Sequence, residues 1–74
     1  MEKTITFSVS GNEITGKLHG NAHLWIFESE NEFFKSNFGS SQIKKHSLLK
    51  SINPVDRQKE IYSLVCSEAE WYDL

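Results

Sequence analysis

The sequence predicts an α+β fold: a three-stranded antiparallel meander with two or three helices packed on one face. Three observations carry this expectation. Ile5, Phe7 and Val9 alternate with hydroxyl residues, a period of two. Gly11 and Gly20 fall between short apolar segments, where turns are needed. From Ser29 onward the apolar spacing becomes helical. Strands joined by such short connections pair antiparallel, and helices must bury their apolar stripe against the one face the strands offer.

The first strand is read over Thr4-Ile5-Thr6-Phe7-Ser8-Val9-Ser10. Gly11-Asn12 supplies residues that tolerate positive φ, as a tight hairpin requires. Ile14, Gly16 and Leu18 share one face of a second strand, and a glycine at position 16 points to a bulge or a close backbone approach. His19-Gly20-Asn21-Ala22 reads as the next turn. His23-Leu24-Trp25-Ile26-Phe27 reads as a third strand, with Leu24 and Ile26 assigned to the core side.

Ser29-Glu30-Asn31-Glu32 has the form of a capping box, with Ser29 as the cap. A short helix from about Glu30 to Phe38 follows, ended by Gly39. Ile43, Leu48, Leu49 and Ile52 fit a second short helix, and Lys44, Lys45 and Lys50 face water in it. Asn53 and Pro54 then open the last helix, with Asp56 in its first turn. Ile61, Tyr62, Val65, Cys66 and Ala69 keep helical spacing, although residues 61–66 also have strand propensity. The predicted core joins Ile5, Phe7, Val9, Ile14, Leu18, Leu24 and Ile26 to Phe34, Phe38, Leu48, Ile61, Val65 and Ala69.

Residues 1–74 have the length of one small domain. The apolar share is only 38%, but five Phe, two Trp and two Tyr supply large buried areas from few residues. A chain this short leaves little room for a deep catalytic cavity. Cys66 is the single cysteine, so no internal disulfide forms. No leader-like segment and no apolar run of membrane-spanning length occur. A reducing cytoplasm without membrane attachment is the expected setting. The net charge of −2 is too mild to select a partner.

Motifs for chemistry are sparse. His19 and His23 lie four apart across a turn, short of the three protein ligands zinc takes, so no metal is expected. Cys66 and His46 are the residue types of a nucleophile and its base. Cys66 falls on an apolar helical face, where a core thiol is expected. The carboxylates at Glu28, Glu30 and Glu32 and at Glu68, Glu70 and Asp73 sit near helix ends and read as solvated. The glycines form no phosphate-binding loop, and no cofactor is expected.

Two surfaces stand above this background. Trp71 and Tyr72 are large aromatics that either fold back on the sheet and close the core or anchor a protein interface, and Trp25 is grouped with them as an interface candidate. The leading expectation is a non-enzymatic binding or regulatory module that contacts another protein, or itself as a homodimer. The alternative is a nucleic-acid-associated protein using Lys44, Lys45, Lys50 and Lys59. There, residues 33–52 would form a helix-turn-helix about Gly39, with Gln42 and His46 on the second helix. The acidic balance of the whole chain weighs against it. A small hydrolase or transferase using Cys66 and His46 ranks third.

Overall fold

The computed structural model describes residues 2–45 and 56–72. In chain order the elements are β1 (Glu2–Val9), β2 (Asn12–Gly20), β3 (Trp25–Glu28), α1 (Glu32–Phe38), β4 (Gln42–Lys44) and α2 (Asp56–Tyr72). The four strands form one antiparallel sheet in the order β1-β2-β3-β4. Both helices pack on one face of it. The class is the α+β arrangement that the sequence predicts, with one strand more than the meander of three.

The extra strand replaces the start of the expected second helix. Ile43 is buried in β4 and pairs with Phe27 of β3. A β-branched residue flanked by solvent-facing Gln42 and Lys44 satisfies a period of two as well as a helical one. Leu48, Leu49, Ile52 and the Asn53-Pro54 cap lie outside the described residues. Residues 61–66 are helical, inside α2. Among the described residues, no helix is long and apolar enough to cross a membrane.

The first hairpin turns one residue earlier than expected, at Ser10-Gly11, with φ of 52° and 78°. Positive φ at both central positions gives the turn twist that matches the strands. This sets β1 against β2 with Val9 opposite Asn12 and Ile5 opposite Gly16. Odd residues of β1 and even residues of β2 therefore face the helices.

The second connection changes more. Gly20 belongs to β2, with φ 109°, and the loop runs from Asn21 to Leu24. Asn21 Oδ1 accepts hydrogen bonds from the amides of His23 (2.8 Å) and Leu24 (2.9 Å). This side-chain-to-backbone loop consumes His23 and Leu24 and starts β3 at Trp25. The inner face of β3 is consequently Trp25 and Phe27. Leu24 is 74% exposed, and Ile26 lies on the open face of the sheet. The core assignment of Leu24 and Ile26 is thus overturned: a shift of one residue moves every side chain of a strand to the other face.

Ser29 is not the helix cap. It is buried, and its hydroxyl donates to the Thr15 carbonyl (2.7 Å) while accepting from the Asn31 amide (3.1 Å). Asn31 caps α1, its side chain accepting from the Phe34 amide at 2.9 Å. Gly39 terminates the helix in the left-handed conformation, φ 64°, the role read for it.

The core is a run of aromatics across the layer boundary. Phe34 meets Phe27 edge-on at 5.3 Å, Phe27 meets Phe7 at 5.7 Å, and Trp25 meets Tyr62 at 5.1 Å. Ile5, Val9, Ile14, Leu18, Ile61, Val65 and Ala69 complete it. Phe7 is half-buried and linked to Phe34 through Phe27. The Phe27 ring lies over Gly16, which is the close approach that a glycine in that strand implies.

Candidate functional site

The C-terminal end of α2 presents the largest aromatic exposure. Amphipathic spacing buries Ile61, Val65 and Ala69 on the sheet side. Trp71 falls off that stripe and is 69% exposed; Tyr72, three residues beyond Ala69, is 38% exposed. The ring of Tyr72 carries Lys3 Nζ 3.4 Å from its centroid, a cation–π contact. At its other end α2 meets α1: Gln58 donates to the Asn37 carbonyl, and Arg57 stands 5.8 Å from the Phe33 ring. The helix therefore runs from α1 to β1, and its exposed aromatics sit beside β1.

Trp25 does not join them. It is 2% exposed and packs on Tyr62. The exposed apolar residue at that end of the sheet is its neighbour Leu24. Leu24, Trp25, Ile26, Lys44 and Lys45 line a cleft of about 240 Å³, and the Lys45 ammonium donates to the Ala22 carbonyl beside it.

The basic residues do not gather on one surface. Lys44 pairs opposite Ile26 and faces away from the helices, whereas Lys59 is exposed on α2 in the helical layer. Lys50 and His46 lie outside the described residues. The element after Gly39 is a strand, so the described part of residues 33–52 is not a helix-turn-helix.

Cys66 is half-buried and packs against the core. Burial pushes its thiol up; the Lys45 ammonium and a hydrogen bond with Trp25 oppose this without cancelling it. A raised thiol disfavours the thiolate needed for attack. Labelling of Cys66 by a thiol reagent at neutral pH should be much slower in the folded protein than in denaturant. Equal rates would remove the core-thiol assignment.

On the open face, His19 Nε2 lies 2.6 Å from Glu28 Oε1. A hydrogen bond from Gln42, then that from His19, holds the Glu28 carboxyl below its usual value of 4.5. A lowered folded value means that the stabilisation is complete above 4.5 and is lost as pH falls through the lowered value. The melting-temperature gap between wild type and Glu28→Gln should therefore be open at neutral pH and close on acidification; a gap constant across that range would contradict the pairing. His23 is exposed in the loop. Among the described residues, no group of three or more His, Cys, Asp or Glu side chains converges as a metal would need.

The Lys3–Tyr72 contact and the exposure of Leu24 have no motif. The signal for Leu24 was Asn21, whose side chain competes for loop amides. No protein-family model matches the chain, and no match to it is found among curated proteins or among solved structures.

Proposed function

We propose that this chain is a non-enzymatic binding or regulatory module that contacts another protein, or itself, through the aromatic end of α2. The exposure of Trp71 carries the reading. An indole left mostly in water forgoes a large burial energy, and Trp and Tyr are the residues that most often dominate protein interfaces. The Lys3 ammonium over the Tyr72 ring beside it restrains that side chain, which lowers the entropy it would lose on binding. The lone thiol suits a reducing compartment, and a cytoplasmic location is proposed with it.

The nucleic-acid alternative uses Lys44, Lys45, Lys50 and Lys59 and makes the opposite prediction. Its affinity would fall steeply with salt. Pull-down with immobilised wild type, Trp71→Ala, and Lys44→Glu with Lys45→Glu separates the two. The proposal expects Trp71→Ala to lose a partner that the charge-reversed variant keeps. Loss only on charge reversal, together with salt-sensitive binding to single- or double-stranded nucleic acid, would favour the alternative.

A further inference from the structure

β1 is an edge strand, and among the described residues no strand lies outside it. The two edges of the sheet differ. β4 spans only Gln42–Lys44 and carries a lysine, features that blunt an edge. β1 pairs continuously with β2 from Glu2 to Val9 without a bulge. The stretch Thr4-Ile5-Thr6-Phe7-Ser8-Val9 has no charge and no proline. Such an edge is a template for another strand.

The hairpin fixes which backbone groups are offered. In a tight turn the hydrogen bond joins the flanking residues, here Val9 and Asn12. Bonded pairs alternate along the ladder, so Phe7, Ile5 and Lys3 also bond inward to β2. The amides and carbonyls of Thr4, Thr6 and Ser8 then point out from the open edge. The Lys3–Tyr72 contact places the exposed end of α2, with Trp71, at this same edge.

We infer that the partner is a second copy of this chain, its β1 antiparallel to this β1 about a two-fold axis at Thr6. This rests on the proposed aromatic contact and names what meets it. Outward-facing groups at even positions require even residues opposite even residues. An axis at Thr6 sets Thr6 against Thr6 and Thr4 against Ser8 on the open face. On the helix-covered face it sets Ile5 against Phe7. The Thr6 axis leaves Lys3 against Val9 at the end of the paired stretch, an axis at Ile5 would set it against Phe7 further in, and one at Lys3 would oppose two ammonium groups, which destabilises. The Thr6 axis yields about six new backbone hydrogen bonds, two for each bonded pair. At ~3.4 Å per residue the paired stretch from Lys3 to Val9 runs roughly 24 Å, most of the molecule's 30 Å length. Both helical layers stay on one side of the joined sheet, and the patch is self-complementary, as a two-fold interface demands.

Sedimentation velocity across a dilution series of the full chain tests this. The wild type should form a dimer, and Thr6→Lys, an exposed position that brings like charges together at the axis, should be a folded monomer by circular dichroism. In a Cys66→Ser background, Thr6→Cys should oxidise to a covalent dimer and Thr4→Cys should not, because bonded pairs lie ~5.5 Å apart at Cα, within disulfide reach. A monomeric wild type overturns the inference, as does a dimer untouched by Thr6→Lys, or a chain monomeric by itself that pairs only with an added extended peptide. Trp71→Ala separates the two claims. A dimer lost with Trp71→Ala but kept with Thr6→Lys removes the strand pairing and leaves the aromatic contact. The reverse pattern keeps the strand pairing and removes the aromatic contact.

Discussion

Phe34→Ala should destabilise the domain by about 3–5 kcal/mol, the cost of truncating a buried Phe. Phe34 is the fully buried residue of α1 and touches Phe27 at 5.3 Å and Phe38 at 5.0 Å. It is the side chain that ties the short helix to the sheet. α1 has only seven residues, too few to be stable without tertiary contact, so the loss should unseat the helix as well as leave a cavity. A small domain has roughly 5–15 kcal/mol in total. Thermal and urea melts should show a much weakened or unfolded variant. A midpoint equal to that of the parent would remove Phe34 from the core.

Gly16→Ala should destabilise the domain by about 1–3 kcal/mol or more, the usual scale for overpacking. An ideal Cβ at position 16 would lie 2.4 Å from the Glu28 carbonyl oxygen and 2.4 Å from the Phe27 ring. The carbonyl is backbone and cannot swing aside, so relief requires β2 and β3 to separate or Phe27 to leave its place. Gly39→Ala supplies the control. Position 39 has open space, and the penalty there is the left-handed conformation (φ 64°) by itself, roughly 1–2 kcal/mol. Melting curves should show Gly16→Ala with a broken aromatic core, read as loss of near-ultraviolet dichroism, and Gly39→Ala with that signal intact. An unchanged signal and midpoint for Gly16→Ala would refute the close approach.

The fold class was legible because the strongest signals are local. Period-two alternation in β1, the helical spacing of Ile61, Val65 and Ala69, and the terminator Gly39 each act within one element. What was illegible depended on competition between neighbours. Asn21 captures the amides of His23 and Leu24, and this one loop decides whether Trp25 or Leu24 enters the core. Ser29 and Asn31 are both good caps, and the choice between them falls to Thr15, whose carbonyl claims the Ser29 hydroxyl from across the sheet. Ile43 could serve either period, and Phe27 on β3 settles it.

The candidate site was half legible for the same reason. Trp71 and Tyr72 were marked by residue type, and Trp71 is the more exposed of the two. By residue type Trp25 groups with them, because a Trp in an apolar run gives no local sign of which way it points, and long-range pairing with β2 turns it inward. That Trp71 and Tyr72 stand at an open sheet edge follows from the path of α2, which no spacing in the sequence records.

The claim that most needs testing is that the aromatic end of α2 serves contact with a partner more than the interior of the fold. Deletion of residues 71–74, followed by a thermal melt and an association assay on the same sample, tests it most directly. An exposed cation–π contact contributes about 0.5–1 kcal/mol, so the melting temperature should fall only slightly while self-association or partner capture is lost. A large fall in melting temperature with association retained would contradict the account and return Trp71 and Tyr72 to the core.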